Sequence, residues 1–297
     1  MNQNTNINND FFDVSFKEIF ESAKNHSKKI LLLTLLGAII SAIFSLTIPE
    51  KYISQAISIK AEISNPSSVD AAGGLLQIFG PQSNSSTDKT LTILKSRSFF
   101  RNFYNDDQFL FELMAVESFD IKQNSYRVNE DLYNQKDNIW IQRPSFESSF
   151  EVFHQEFNVS SDLVTGEIYT STKHVNPVVA LQWNTAILAK VNQITKEKQI
   201  IKSSSAIDYY KTQLNNDNSL AVKSVLMSSI SKELQTIATS NVTDEYSLEV
   251  IDPPFLPERS SEPNNAVISI LGTILSFVLL FTYFVFSDLY KSFNRKN

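Results

Sequence analysis

Cysteine is absent from all 297 residues. That excludes disulfides, thiol nucleophiles and thiolate metal sites together. Glycine is nearly as scarce, with only Gly37, Gly73, Gly74, Gly80, Gly166 and Gly272 in the whole chain. None of them opens a G-x-x-x-x-G-K-[ST] or a G-x-G-x-x-G, so no phosphate-cradling loop can form, and no G-x-S-x-G nucleophile elbow occurs. The three histidines are His26, His154 and His174. His26 falls in the expected cytoplasmic segment, and neither His154 nor His174 has a carboxylate or second histidine at ligand spacing. Asp106-Asp107, Glu130-Asp131 and Asp244-Glu245 are neighbours that point apart on regular elements, as solvated surface charge does. The residues therefore predict no enzyme, no cofactor and no metal site. An excess of positive charge is missing too: the formal net charge is −6, which offers nucleic acid no electrostatic footprint.

Charge of either sign is missing from two long runs. Residues 30–48 (ILLLTLLGAIISAIFSLTI) and 266–286 (AVISILGTILSFVLLFTYFVF) contain no Asp, Glu, Lys or Arg. As helices they reach about 28 and 31 Å, close to a hydrocarbon core of roughly 30 Å. Neither has the polar stripe of a buried soluble helix. The first run follows 29 mostly polar residues and leads into Pro49, Glu50 and Lys51 without an A-x-A-like site, so it reads as an anchor and not a cleaved leader. Lys24, Lys28 and Lys29 precede the first run, and Lys291, Arg295 and Lys296 follow the second. The positive-inside rule puts both termini in the cytoplasm. Residues 49–265 between them hold 19 Lys+Arg and 27 Asp+Glu, a net of −8. An acidic, cysteine-free domain on the far side suits a bacterial periplasm.

The expected organisation is a cytoplasmic segment 1–29, a span 30–48, an external domain 49–265, a span 266–286 and a tail 287–297. Phe11–Lys29 should make a juxtamembrane helix. Residues 52–63 should form a strand, with Ile53, then Ala56 or Ile57, then Ile59 as its apolar positions. Residues 64–87 read as a loop whose Leu75, Leu76, Ile78 and Phe79 pack back on the core. One helix is expected over Asp88–Tyr104, short helices near Phe109–Val116 and Asn129–Tyr133, and paired strands at Phe150–Phe157 and Leu163–Ser171.

Asn176-Pro177 is a good N-cap and first helical residue. From there a helical pattern carrying Ile187, Val191, Ile194 and Ile201 runs to about Leu214, and the polar run 215–218 breaks it. A second helix, near Ser219–Ala238, carries Val222, Leu226, Ile230, Leu234 and Ile237. Together they predict a helical hairpin over about 177–238. Tyr246–Ile251 alternates as a strand able to pair with the one after the first span, because both chain ends must return to the membrane. Pro253, Pro254, Pro257 and Pro263 all fall within residues 252–263, a composition that favours a stiff, extended strut into the second span. Gly37, Ser41 and Ser45 repeat every fourth residue in the first span, and Gly272 and Ser276 do so in the second. Small residues at that spacing let membrane helices approach closely. The fold class expected is an α+β membrane protein: two transmembrane helices flank a periplasmic α/β base that carries a long helical hairpin.

This layout resembles the Wzz-type chain-length determinants, the polysaccharide co-polymerases of bacterial inner membranes. Beside the span–domain–span order, the likeness lies in LTILKSRSFFRNF at residues 91–103, NPVVALQWNTAILAKVNQ at 176–193 and DPPFLPERSSEPNNAVI at 252–268. The resemblance implies a non-catalytic regulator of the modal length of O-antigen, or a related lipid-linked surface polysaccharide. Its implied partners are a separate polymerase, the lipid-linked polysaccharide, the membrane and further copies of itself in a ring. Eleven residues follow Phe286 without a Walker motif, unlike the kinase-bearing branch of that family, so control by phosphotransfer would need a separate kinase. Two alternative roles are an adaptor for capsule or exopolysaccharide export and a periplasmic ligand sensor, the latter disfavoured by cytoplasmic segments too short for a signalling module.

Overall fold

In the computed structural model of the protein, the residues described are 20, 24–61, 85–216 and 219–296. The expected juxtamembrane helix falls mostly outside them, and the patch Leu75, Leu76, Ile78 and Phe79 entirely so. The chain divides into two compact units, Met1–Pro49 with Glu262–Asn297, and Glu50–Ser261.

The first unit contains two long helices, TM1 (Ser27–Ser45) and TM2 (Asn265–Lys296). TM1 and the Asn265–Asp288 part of TM2 are long and apolar enough to cross a membrane and are almost wholly exposed. Only lipid is a favourable solvent for such a surface, and a helix satisfies its own backbone there. TM1 stops at Ser45, three residues short of the expected end, because a residue preceding proline, here Ile48, is disfavoured in the α region. TM2 starts where the Asn264 side chain accepts from Val267 N at 3.2 Å. The two helices pack along their lengths.

The second unit begins with β1 (Tyr52–Lys60) and continues with α1 (Ser85–Leu94), α2 (Arg97–Tyr104) and α3 (Asp107–Met114). Two small hairpins follow, β2 (Val116–Asp120) with β3 (Ser125–Val128) and β4 (Tyr133–Asn134) with β5 (Ile139–Trp140). The chain then runs through α4 (Phe146–Glu156), β6 (Phe157–Ser161), β7 (Ile168–His174), α5 (Pro177–Asn216), α6 (Leu220–Val242) and β8 (Leu248–Asp252). The main sheet is antiparallel throughout, in the order β6-β7-β1-β8. The expected pairing of the strand after the first span with the one near residue 250 is present, as Ser58↔Val250 and Ile59↔Glu249.

One face of the sheet carries the first turns of α5, and α1 to α4 pack around this layer. An aromatic cluster of Phe99, Phe100, Phe103, Phe109, Phe153, Phe157 and Trp183 fills the core. Centroids lie 4.7 Å apart for Phe109–Trp183 and 5.0 Å for both Phe100–Phe153 and Phe103–Phe109, separations at which tilted rings attract.

Several expectations are corrected. The helix expected over Asp88–Tyr104 is two helices, because Ser96 turns extended and caps α2 by accepting from Phe99 N at 3.1 Å. Phe150–Phe157 is not a strand. Ser145 caps a helix there, accepting from Ser148 N, and Phe146, Phe150, Phe153 and Phe157 line one side of it at helical spacing. The strand that pairs with β7 starts only at Phe157. Asn129–Tyr133 is a turn entering β4 instead of a helix. In β1 the buried residues are Tyr52, Ser54, Ala56 and Ser58, while Ile53, Ile57 and Ile59 are half-buried on the opposite face. A helix backbone can settle close to a sheet only over small side chains.

The hairpin bounds stand within a few residues, at Pro177–Asn216 and Leu220–Val242. Forty residues of α5 extend about 60 Å. Val179 to Asn192 pack on the sheet, whereas Ile201 is exposed and only Ser203 and Ile207 are buried beyond that point. On α6, Ile230 is buried and Leu226 and Ile237 half-buried, as the expected stripe requires, whereas Val222 and Leu234 at its edges face out. Lys196 Nζ donates to the carbonyls of Asn241 and Thr243 at 3.4 and 3.2 Å, closing the hairpin at the negative end of α6.

Candidate functional site

Within the membrane unit the structure brings all five small residues together. A Cβ on Gly37 would collide with the side chain of Ser276, and one on Gly272 with the side chain of Ser41. Ser41 Oγ donates to the Ile268 carbonyl at 3.1 Å, and Ser45 Oγ to Asn265 Oδ1 at 2.6 Å. Lipid offers these hydroxyls no partner, so the contact supplies both close packing and hydrogen bonds where little else attracts helices to each other. At the opposite end of the pair His26 Nε2 lies 3.0 Å from Asp288 Oδ2, and its ring stacks on Phe284 at 4.7 Å.

In the domain, the proline-rich segment does not stand free. Ser54 Oγ donates to the Phe255 carbonyl at 2.8 Å, and Ser261 N to the Lys51 carbonyl at 2.8 Å. Pro257 is buried, Pro254 half-buried and Pro253 exposed. Pro253 and Pro254 border a groove of about 680 Å³ whose other wall is α5, with Asn192 and Lys196 among its residues. Pro263 belongs to the membrane unit and the other three prolines to the domain, so the boundary between units falls inside the segment.

Two buried polar groups on α5 hold the base together, and neither is evident from residue type alone. Asn184 accepts from Thr170 Oγ1 at 2.9 Å and donates to the carbonyls of Ser54 and Thr170 at 3.0 and 3.3 Å. Asn192 Oδ1 accepts from Ser247 N and Leu248 N, both at 2.8 Å, and its Nδ2 donates to the Leu248 carbonyl at 2.9 Å. Each amide thus serves strand backbone that faces a helix. The available signal was position: both asparagines share the helix face of Ile187, Leu188 and Val191, where an apolar residue is expected.

A second network joins α3, β7 and the start of α5. Glu112 accepts from Trp183 Nε1 at 2.9 Å and Gln108 Nε2 at 2.8 Å. Burial raises its carboxyl pKa despite those two donors. The His174 ring is also buried. Asn176 N donates to Nδ1 at 3.0 Å, so the proton sits on Nε2, which donates to the Glu112 carbonyl at 3.1 Å. Burial pushes the His174 pKa down to about 4, against the two hydrogen bonds. The side-chain polar atoms of Glu112, Trp183 and His174 are all engaged within the protein, which suits a structural role. Among the described residues no group of three or more His, Asp or Glu converges as metal ligands do.

No protein-family model and no curated protein sequence matches the chain. Solved structures do. One, a full-length bacterial polysaccharide co-polymerase, is 14% identical with a TM-score of 0.39, over 94% of this chain and 99% of that one. A fragment of WzzB, a polysaccharide co-polymerase from Salmonella Typhimurium, is 14% identical with a TM-score of 0.31, over 72% of this chain and 100% of its own. A mutant of the Shigella flexneri lipopolysaccharide O-antigen chain-length regulator WzzBSF is 12% identical with a TM-score of 0.20, over 71% of this chain and all of its own.

Proposed function

We propose that the chain is a non-catalytic regulator of the modal length of O-antigen, or of a related lipid-linked surface polysaccharide, made by a separate polymerase. It works in the bacterial inner membrane as a homo-oligomeric ring, with both termini cytoplasmic and the domain periplasmic. The observation that carries this reading is the α5–α6 hairpin. It runs far beyond the sheet and leaves Ile201, Tyr209, Val225, Met227 and Leu234 exposed along its length. A surface of that kind on a domain tied to a membrane at both chain ends suits side-by-side packing of further copies. The resemblance of residues 91–103, 176–193 and 252–268 to the chain-length determinants supports the same role.

The test is genetic. Lipopolysaccharide from a strain lacking the gene should still carry polymer on a gel, but with its modal band replaced by a broad spread, and restoring the gene should return the band. Loss of all polymer would overturn the reading in favour of a polymerase or exporter.

A further inference from the structure

The β2–β3 hairpin ends in a turn that the proposed function does not use. The turn is held open in one shape. Asp120 Oδ1 accepts from Lys122 N at 2.8 Å and Gln123 N at 3.1 Å, and Asn124 takes the left-handed conformation at φ +50°. The Phe119 ring lies tilted against Tyr126 at 5.1 Å, and Tyr126 OH accepts from Asn176 Nδ2 at 2.8 Å, which fixes the hairpin to the start of α5. What this rigid turn presents is Ile121, 57% exposed, followed by the exposed Lys122. Asp120 is the only carboxylate in the turn, and its charge is directed to the backbone amides.

Position gives that tip a partner. Residues 118–122 form one wall of a groove of about 510 Å³, and Glu50, Tyr52 and Val175 form the other. Glu50 lies five residues beyond Ser45, the last residue of TM1, and five residues reach at most about 18 Å. The second chain end comes to the same edge, since Ser261 N bonds the Lys51 carbonyl. The hairpin tip is thus beside the edge of the domain at which its chain begins and ends. An apolar side chain with a neighbouring lysine matches the headgroup–acyl boundary of an anionic leaflet, which takes up the one and attracts the other.

We propose that the Ile121–Lys122 turn rests on the lipid surface, giving the domain a third, non-covalent contact with the membrane beside its two chain ends. This rests on the membrane-spanning reading of TM1 and TM2, and not on the polysaccharide role. The cysteine-free chain allows a direct test. Single cysteines replace Ile121, Ile39 and Val164 in the full-length protein, each carries an environment-sensitive fluorophore, and the protein is reconstituted in phosphatidylethanolamine–phosphatidylglycerol vesicles. Ile39 is on TM1. Val164, 94% exposed, lies in the β6–β7 turn, beyond the Ser58↔Ile168 end of the sheet and away from Tyr52.

The label at 121 should emit to the blue of the label at 164, lose intensity to lipid carrying a shallow nitroxide, and be protected from iodide. The label at 164 should behave in the opposite way. If 121 behaves like 164 while 39 is quenched by lipid, the turn contact is wrong and the membrane reading stands. If 121 is shielded from lipid and iodide alike, a second copy or the domain itself covers it, and the proposal is again wrong. If 39 is not quenched by lipid, the membrane reading fails and takes the proposal with it.

Discussion

Asn192 is the side chain whose removal should most clearly separate hydrogen bonding from packing. It is almost fully buried and makes three hydrogen bonds, all to backbone atoms of Ser247 and Leu248. Asn192→Ala strands two amide donors and one carbonyl in a space water does not readily reach. A net hydrogen bond is worth about 1 kcal/mol and an orphaned buried group costs about 1–3 kcal/mol. Full orphaning of all three groups is an upper limit, because β8 can shift to recover some contacts, so about 3 kcal/mol is the expected loss. For a domain of this size each kcal/mol moves Tm by roughly 2–4 °C, which predicts a fall of about 6–12 °C. The assay is thermal unfolding of the full-length protein in detergent, followed by the fluorescence of buried Trp183, with amide exchange read at residues 247–248. Asn192→Leu refills the volume without serving the backbone. If orphaned groups cause the loss, the leucine variant falls about as far as alanine; recovery by leucine would show that a cavity was responsible. A shift near zero for Asn192→Ala, with no faster exchange at Ser247 and Leu248, would refute the argument altogether.

Gly272→Leu places a branched side chain against Ser41 and should loosen TM1 from TM2 without preventing insertion; shorter crosslinked species and broader chain lengths are expected, with the exposed Leu279→Phe as a nearly silent control and wild-type crosslinking as the result against it. Changing Pro254, Pro257 and Pro263 together to Gly frees the segment that spans the unit boundary, so modal length should change at normal membrane levels of the protein, and unaltered banding would reduce the prolines to spacers. Acid should destabilise the domain through His174: its folded pKa of about 4 lies below the ordinary 6.5, so the unfolded chain binds the extra proton and stability is lost as pH falls from 6.5 towards 4. That shift corresponds to about 3 kcal/mol, and Tm against pH should flatten in His174→Gln. Glu112, whose raised pKa makes the folded state hold its proton longer, works the other way as pH rises above 4.5, so Glu112→Gln should steepen the acid loss seen in a background that keeps His174.

What the sequence determined by itself are the features whose cause is local or follows from the solvent. Two charge-free runs of about 20 residues have only lipid to face, and residues 30–48 and 266–286 are helical at those places apart from TM1's last turn, which Pro49 shortens. Asn176-Pro177 starts α5 because cap and fixed φ need nothing from elsewhere in the chain. The return of both ends to one edge made the β1–β8 pairing a matter of connectivity. Tertiary structure decided the questions in which two local readings were equally good. Alternation in β1 offers two faces, and α5 settled the choice by requiring the small one, Ser54, Ala56 and Ser58, against its backbone. Phe150, Phe153 and Phe157 fit a strand or a helix by composition, and the neighbouring Phe100 and Phe103 made the helical spacing the one that fills the core. Asn184 and Asn192 acquire their purpose only from tertiary contact, because the backbone groups they serve on β1, β7 and around the start of β8 come within reach only after the sheet has met the helix.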